Sequence, residues 1–409
     1  MIQVADTHDG ADRAADLRAV LVDELRGRGK IATAAVEAAF RRVPRERFMP
    51  DGTDLTVAYG VDNSVVTKRD EHGVAISSVS AAYIQARMLE QAEVRSGMTV
   101  LEVGSGGLNA AYLAEIVGPQ GRVVSVDIDP EVTARATTLL EQNGYGDRVR
   151  VLVADAEHGV PGEGPFDAVI VTVGAWDIPP ALLDQLRNPG VLVLPLIMNG
   201  VTRTIGFRRA SERLSSTSAE VAGFVPMQGD GRHPDRVFLL PDGNGRNVRL
   251  SFDSGAPREI SRLDGVLGTE RVERWSSVTI DNGVSFADLH LWFAWFLPGF
   301  CRIAPDEGTG LAAERRWFPF GVVSGAGFAY LAVRPAAEGE GAEFGARAYG
   351  PDGQRAAASM VEQIQAWDRD GRHTEPTFHY WPVGSDPSLI PADAPVMDKT
   401  HGVVTISWP

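Results

Sequence analysis

The stretch that decides the fold is TVLEVGSGG, residues 99–107. Its first five residues are mostly apolar and β-branched, which is typical of a strand buried inside a sheet. Glu102 lies near the end of this predicted strand, and Gly104 and Gly106 form the turn that follows it. Because glycine has no Cβ, the backbone of such a turn can approach a ligand closely. The stretch therefore predicts a strand, a glycine turn and a helix that begins near Asn109.

Strand-like and helical runs alternate from residue 98 to residue 228. The β-rich runs are TVLEVGSG, RVVSVDID, RVRVLVAD, FDAVIVTVGA and VLVLPLI, and the helical runs are AAYLAEIV, PEVTARATTLLEQNG and PPALLDQLRNPG. Pro130 is expected to open the second of these helices and Gly144 to end it, the usual asymmetry of helix termini. Such alternation specifies a parallel sheet covered by helices. The predicted fold class is therefore α/β, with a doubly wound sheet.

Two more carboxylates come at the ends of predicted strands. The run RVVSVDID delivers Asp127, and RVRVLVAD delivers Asp155. Open α/β sheets bind ligands at the carboxyl ends of their strands, so Glu102, Asp127 and Asp155 are expected to converge on one ligand. Asp127 can accept hydrogen bonds from both ribose hydroxyls, and Asp155 from an adenine amine. Together the three acids predict a site for an adenosine-containing molecule.

A nicotinamide dinucleotide is the competing ligand, because its enzymes also use a glycine turn followed by an acid at the next strand end. Their fingerprint requires Gly or Ala at the last position of G-x-G-x-x-G. Counting from Gly104, that position is Asn109, whose side chain would obstruct the close approach of helix and strand. The spacing therefore favours another adenosine-containing cofactor.

The ordered motifs resemble the class I S-adenosylmethionine methyltransferases, and within them the protein-L-isoaspartate O-methyltransferases. The resemblance rests on MTVLEVGSGGLNAAYLAEIVG, PFDAVIVTVGA, IPPALLDQLRNPGVLVLPL and FVPM at 224–227, preceded by RVPRERFMP. It covers about residues 15–228 and implies a Rossmann-like class I fold, with S-adenosylmethionine as cofactor and S-adenosylhomocysteine as product. In the glycine turn, Leu108 replaces the family's third glycine. The resemblance implies cofactor contacts at Glu102, Gly104, Ser105, Gly106, Asp127, Ile128, Asp155 and Ala156.

The family places a stretch like Thr-Ile-Ser-Gln-Pro beside the transferred methyl group. Here Ala75-Ile76-Ser77-Ser78-Val79 occupies that place, so the Ser is kept while the Gln and the Pro are lost. The resemblance therefore implies Ser77 and Ser78 as catalytic residues that orient the acceptor. The alternative is that both serines only cap the following helix, SAAYIQARMLEQA, since Ser suits an N-cap well.

The chemistry of a carboxylate acceptor predicts that no metal is involved. Aspartyl and isoaspartyl carboxylates have pKa values near 4 and are ionised at neutral pH, so neither a base nor a metal is needed. The eight histidines are scattered and form no ligand pair. His158 follows Asp155 closely and is read either as a side chain on the adenine side or as an ordinary surface histidine.

The regions outside the alternating segment divide the chain into three predicted parts. Residues 1–97 are predicted as a helical and substrate-loop segment, 98–228 as the cofactor-binding core and 229–409 as a separate α+β domain for peptide recognition. In the first part, Leu17, Val20, Leu21 and Leu25 are expected to share one helix face. The last part shows strand-like runs such as VRLSF, RWSSVTI, FAYLAVRP, TFHYWPV and GVVTISW, and one helix at 353–370.

The extra 180 or so residues beyond the family match suggest a particular substrate. With the altered stretch after Ser77, they resemble the branch of the family that serves ribosomally made peptides, including lanthipeptides. That branch methylates an Asp of a cyclised precursor peptide, and the ester then closes to an aspartimide that can hydrolyse to isoaspartate. The alternatives are an isoaspartyl protein repair enzyme and a non-catalytic, cofactor-binding scaffold of a peptide synthetase complex.

Composition limits the partners. The chain has 409 residues, a formal net charge of −15 and a single cysteine. Such a charge disfavours nucleic acid, whose binding draws its affinity from cationic side chains. One cysteine excludes a disulfide framework and fits the cytoplasm, and no apolar run reaches the roughly 20 residues that a membrane span needs. The acidic start, MIQVADTHDG, does not match a secretory signal.

Overall fold

The fold is described from a computed structural model of the chain that covers residues 3–258, 260–313, 317–337 and 339–409, with side chains described from residue 12 onward. Two large β-sheets and one two-stranded hairpin account for the named strands. Among the described residues, no helix has the length and apolar character required to cross a bilayer. The start of the chain, Met1 and Ile2, lies outside the described residues, and so do the side chains of the rest of MIQVADTHDG, including His8.

The helices are α1 (Gln3–Gly27), α2 (Ala34–Arg42), α3 (Leu55–Ala58), α4 (Ala82–Gln91), α5 (Leu108–Val117), α6 (Pro130–Gln142), α7 (Pro180–Gln185), α8 (Ala287–Phe296), α9 (Gly310–Ala313) and α10 (Gly353–Asp370). The strands are β1 (Val65–Arg69), β2 (Ala75–Val79), β3 (Thr99–Val103), β4 (Arg122–Asp127), β5 (Val149–Val153), β6 (Phe166–Val171), β7 (Leu186–Met198), β8 (Val201–Ala210), β9 (Arg213–Val221), β10 (Arg236–Pro241), β11 (Asn247–Phe252), β12 (Val272–Ile280), β13 (Phe300–Pro305), β14 (Trp317–Ser324), β15 (Gly327–Pro335), β16 (Ala342–Tyr349), β17 (Thr377–Pro382), β18 (Val396–Asp398) and β19 (Gly402–Ser407).

The main sheet has ten strands in the order β18-β19-β17-β9-β8-β7-β6-β3-β4-β5. Strands β5, β4, β3, β6 and β7 run parallel, as the alternating sequence predicts. The register pairs Val103 of β3 with Val126 of β4, and Asp127 at the end of β4 with Val153 of β5. The carboxyl ends of these strands therefore meet at one edge of the sheet. The predicted helix α6 begins at Pro130 and is followed by Gly144 in a left-handed conformation.

The amino-terminal helices pack on one face of the main sheet. Leu21 and Leu25 are buried there as predicted, but Val20 is 62% exposed, so its assignment to the same face is wrong. The ring of Phe40 on α2 stacks on Tyr112 of α5, with centroids 4.2 Å apart. This contact fixes the lead-in segment to the helix that follows the glycine turn.

The second sheet has seven strands in the order β10-β11-β13-β14-β15-β16-β12. Helix α10 covers it with the predicted apolar face, and Met360, Val361, Ile364 and Trp367 are all buried. Helix α8 touches β13 of this sheet and β7 and β8 of the main sheet. One apolar core consequently runs from the main sheet into the second sheet.

The last strands correct the predicted division at residues 228 and 229. Strand β17 pairs with β9, joining His379 to Ser215 and Tyr380 to Leu214, and β19 and β18 extend the same sheet. The chain therefore leaves the main sheet after β9, builds the second sheet and α10, and returns. Residues 229–409 therefore do not keep to one sheet of their own, because β17, β18 and β19 belong to the main sheet. A local sequence pattern does not show such hydrogen bonding between distant strands.

Two local predictions are also corrected. The helix predicted over PPALLDQLRNPG ends at Gln185, and the residues from Leu186 onward belong to β7. The acidic, glycine-rich composition of residues 336–345 predicts a solvated loop, but β16 begins at Ala342 and pairs with β15. In both places pairing in a sheet outweighs the composition of the segment.

Replacement of Phe378 by Ala tests whether the returning strands belong to the main core. The Phe378 side chain is fully buried, so Phe378→Ala should lower the free energy of unfolding by about 3–5 kcal/mol. Denaturant unfolding followed by circular dichroism measures this change. Val396 is 50% exposed, so Val396→Ala serves as the control and should be nearly neutral. Equal small effects of both variants would show that β17 is not part of the core.

Candidate functional site

Two cavities open at the carboxyl edge of the main sheet, and they share Gly104. The first cavity is lined by Ile76, Val103, Gly104, Asp127, Ile128, Ala154, Asp155, Ala156, Val173, Pro226, Met227 and Gln228. The second cavity is lined by Ser78, Val79, Ser80, Gln85, Met88, Glu102, Gly104, Gly106, Leu108, Asn109 and Thr172. The structure therefore brings together the acids and glycines that the sequence singled out, with Glu102 in one cavity and Asp127 and Asp155 in the other.

Gly104 lines both cavities. Its φ of +98° lies in the region that favours glycine, and an added Cβ would collide with the hydroxyl of Thr172. Thr172 Oγ1 donates to the carbonyl oxygens of Val103 and Gly104, at 3.0 Å each. The turn is thus held from the end of β6, and only glycine fits at its first position.

Glu102 is buried and incompletely hydrogen bonded. Its side chain is 1% exposed, and Ser125 Oγ donates to Oε2 while Oε1 has no partner. Asn109, 7% exposed, likewise has no acceptor for its Nδ2. Burial raises the pKa of the Glu102 carboxyl to about 7, although the side chains of Ser125 and Asn109 both oppose this shift. The second cavity therefore presents one unused acceptor and one unused donor.

Asp127 lies at the end of β4, where two backbone groups orient it. The N–H of Ser105 donates to Oδ2 at 3.0 Å, and the N–H of Asp129 donates to Oδ1 at 2.9 Å. Burial raises the pKa of this carboxyl. Ser105 is itself fully buried, with its hydroxyl oxygen 2.9 Å from that of Ser125, and it lines neither cavity. Its place is behind the turn, which it links to the acid through its backbone.

Asp155 connects the first cavity to residues 229–231. Its Oδ1 accepts from the N–H of Glu157 at 3.0 Å, and its Oδ2 accepts from the N–H of Asp230 at 2.9 Å. His158 is exposed, lies 2.9 Å from the Asp230 carboxylate and does not line either cavity. One carboxylate oxygen from each of Asp155 and Asp230 and one ring nitrogen of His158 lie within 4.8 Å of one another. These contacts hold residues 229–231 over the edge of the cavity.

The two serines lie in a strand rather than at a helix cap. Both belong to β2, and the N-cap of α4 is Ala81, so the helix-cap interpretation is wrong. Because side chains alternate along a strand, Ile76 and Ser78 line the cavities. Ser77 lies between them, and its Oγ accepts from Thr67 of the neighbouring β1 at 2.8 Å.

The β1–β2 hairpin is fastened to the edge of the first cavity by charge. Lys68 Nζ lies 2.6 Å from Asp129 and 2.7 Å from Glu131, at the start of α6. This ion pair brings the strand that carries the serines against the end of β4.

Several lining residues were not identified from the sequence as site residues. Thr172 and Val173 follow β6, and their position in the motif FDAVIVTVGA was the available signal. Pro226 and Met227 belong to the FVPM motif, which was used only for its order along the chain. Gln85 of α4 gave no signal, since it lies among residues of an ordinary amphipathic helix.

The buried Glu102 predicts a specific pH dependence of stability. With a folded pKa raised to about 7 against 4.5, the folded state binds the proton more tightly, so stability falls as pH rises through that window. Glu102→Gln should remove most of this loss, which amounts to about 1.4 kcal/mol for each pKa unit. Unfolding free energies between pH 5 and 8 measure it. Glu362→Gln, at an exposed position of α10, is the control and should keep the original slope.

Comparison with known proteins places the chain in a family. The profile of protein-L-isoaspartate(D-aspartate) O-methyltransferase (PCMT) matches residues 17–232. A protein-L-isoaspartate O-methyltransferase of Methanopyrus kandleri is 40% identical over 177 residues, which cover 43% of this chain and 75% of the relative. A solved protein-L-isoaspartate O-methyltransferase is 24% identical, with a TM-score of 0.48 and coverage of 61% of this chain and 92% of the other.

A second solved structure is described as a β-aspartate methyltransferase of Plasmodium falciparum in complex with S-adenosyl-L-homocysteine. It is 17% identical, with a TM-score of 0.45 and coverage of 51% of this chain and 97% of the other. The family profile spans more than half of the 409 residues. The chain therefore belongs to the protein-L-isoaspartate O-methyltransferase family, which confirms the predicted class I α/β fold, the transferase class and the S-adenosylmethionine cofactor.

Proposed function

We propose that this protein transfers a methyl group from S-adenosylmethionine to the side-chain carboxylate of an Asp in a ribosomally made, cyclised peptide. The observation that carries the methyl transfer is the pair of cavities joined at Gly104, beside the strand that holds Ser77 and Ser78. The peptide substrate is supported by the second sheet, which is inserted between strands of the main sheet and lies almost wholly beyond the residues that match the family.

The second cavity fits the methionine end of the cofactor. An α-ammonium group can donate to the unused Oε1 of Glu102, and an α-carboxylate can accept from the unused Nδ2 of Asn109. Filling both would remove two unsatisfied buried polar atoms, each of which costs stability when left alone. The ligand's positive charge would favour the ionised form of Glu102 and so oppose the rise in its pKa that burial causes.

The first cavity fits the adenosine end. Asp127 keeps lone pairs for the ribose hydroxyls while its backbone donors hold it in place. Asp155 can accept the adenine amine, and the side chains of Ile128 and Ala156 supply apolar walls for the ring. We assign the remaining predicted contacts to the turn: the glycines allow close approach, and Ser105 acts through Asp127.

The main contribution of the protein to the reaction is alignment of the acceptor carboxylate with the methyl group. When bound, S-adenosylmethionine supplies a methyl group activated by its sulfonium. The acceptor carboxylate is ionised at neutral pH, so this chain needs no general base. Its residues hold the acceptor oxygen in line with the methyl carbon and exclude water, which strengthens the attack. In this proposal Ser77 and Ser78 orient the acceptor through their hydroxyls.

In this proposal the methyl ester is an intermediate, and an aspartimide forms from it. In the methyl ester, the next amide nitrogen of the peptide attacks the ester carbonyl, a C–N bond forms and methanol leaves. Hydrolysis of the resulting five-membered ring gives isoaspartate. The loss of the family's Gln and Pro after Ser77 supports an acceptor that differs from an isoaspartyl residue in a loose chain.

The second candidate is isoaspartyl protein repair. It is favoured by the 40% identity over 177 residues to a protein named protein-L-isoaspartate O-methyltransferase. In that case the inserted sheet would serve another purpose than substrate choice.

Separate incubations with S-adenosylmethionine distinguish the two candidates. One uses an isoaspartyl hexapeptide, the other a cyclised precursor peptide containing Asp, and mass spectrometry follows both. A methyl gain followed by a net loss of one water on the cyclised peptide supports the proposal. Methylation of the hexapeptide alone supports repair. Binding of S-adenosylhomocysteine without methylation of either peptide would contradict both and favour a scaffold role.

Replacement of Ser77 tests the acceptor side of the site. Because Ser77 lines neither cavity, Ser77→Ala should leave the affinity for S-adenosylhomocysteine unchanged. Because the proposed role of its hydroxyl is to orient the acceptor, the same variant should lower kcat. Single-turnover rates and calorimetry measure the two quantities. Ser359→Ala removes a hydroxyl on α10 and is the control. An unchanged kcat in Ser77→Ala would remove Ser77 from the proposed mechanism.

A further inference from the structure

The turn between β18 and β19, residues 399–401, contacts the segments that follow β5 and β6. It lies far beyond the family match, which ends at residue 232. Two of its side chains reach inward, Lys399 with 9% exposure and His401 with its ring partly buried. Both side chains contact segments that directly follow residues lining the first cavity.

Lys399 holds the segment that follows β6. Its Nζ donates to the carbonyl oxygen of Ile197 at 2.8 Å and lies 4.3 Å from the centre of the Trp176 ring. Trp176 comes three residues after Val173, which lines the first cavity. The other face of Trp176 stacks on His233 at 3.8 Å. The ring is thus clamped between a buried ammonium group and the segment that follows residues 229–231.

Burial of this ammonium group carries an energetic cost. Desolvation lowers the pKa of Lys399 to about 8, although Asp253 and Asp177 oppose the shift. An apolar side chain of similar size would fill the same space without this desolvation cost. The cation over an indole ring is therefore a specific contact, and its geometry is that of a cation–π pair.

His401 holds the other wall. Its ring Nε2 lies 2.7 Å from Oε1 of Glu157, and its backbone N–H donates to Oδ2 of Asp177 at 2.6 Å. Glu157 directly follows Asp155 and Ala156 of the first cavity. The hydroxyl of Tyr380 on β17 donates to the other oxygen of Asp177 at 2.9 Å. One turn therefore bonds to both segments that flank the proposed adenosine site.

We propose that Lys399 and His401 are positioning residues for cofactor binding, which hold the walls of the first cavity from the returning carboxyl-terminal strands. The inference rests on the proposed adenosine site in that cavity. The residues act through Trp176 and Glu157 and touch no reacting atom. The carboxyl-terminal strands, beyond completing the sheet, then set the affinity for S-adenosylmethionine.

The test is calorimetric titration of the full-length chain with S-adenosylhomocysteine. Lys399→Met removes the ammonium group at similar size, and His401→Ala removes the imidazole. Each should raise Kd by about 3- to 30-fold, the range seen for coupling through a packed network. His401→Gln should restore most of the affinity, because its amide N–H can donate to Glu157. With peptide substrate, the KM for S-adenosylmethionine should rise while kcat at saturation stays unchanged.

Two matched controls lie on β9 and β17 and line neither cavity. Arg213→Met removes a guanidinium 5.1 Å from the centre of the Trp381 ring, and His379→Ala removes a ring nitrogen 3.0 Å from Ser215 Oγ. Both should keep the original Kd, whatever their melting temperatures.

The outcomes are separable. If Lys399→Met and His401→Ala bind like the unaltered chain, or if all four variants weaken binding equally, the positioning role is wrong. Should Lys399→Met fail to fold, the comparison of His401→Ala with His401→Gln still decides. Failure of the unaltered chain itself to bind S-adenosylhomocysteine would overturn the proposed site, which is a different result from normal binding in the variants.

Discussion

Parallel backbone hydrogen bonding between β3 and its neighbours is the constraint on which the site depends. The register that pairs Val103 with Val126 and with Val171 brings three strand ends to one edge of the sheet. Each turn at that edge then leaves its strand beside the others, and carboxylates more than 20 positions apart in the chain come to line two cavities that share Gly104. The glycine turn is useful only because this pairing presents it there. A shift by one residue would reverse which side chains face the core.

The parts of the site that could be predicted from the sequence are those determined within one strand and its turn. Glu102 and Asp127 end apolar runs of the right length, and the structure lines the two cavities with them. His401 and Glu157 could not be paired in advance, because they are separated by 244 positions and neither belongs to a motif. Such contacts arise from the order of strands in the sheet, which local periodicity does not encode.

The errors in the fold prediction share a physical cause. Ser77 and Ser78 have the residue type of a helix cap, yet both are in a strand because β1 offers them backbone partners. Leu186 to Gly190 continue an apparently helical run, yet they belong to β7, whose first residue, Leu186, pairs with Phe166 of β6. The predicted boundary at 228 was wrong for the same reason, since the change in composition marks where the chain leaves the main sheet but not where it comes back.

The return of the chain to β9 has a consequence for synthesis in the cell. Strand β9 ends at Val221 and its partner β17 begins at Thr377, so about 155 residues separate the two edges that must meet. At the usual elongation rates of roughly 5–20 residues per second, the ribosome needs on the order of ten to thirty seconds to make that stretch. During this interval the nascent polypeptide carries an open sheet edge, the kind of surface that recruits other extended chains. Chaperones that shield such edges would therefore act on this protein chiefly while its second sheet is being translated.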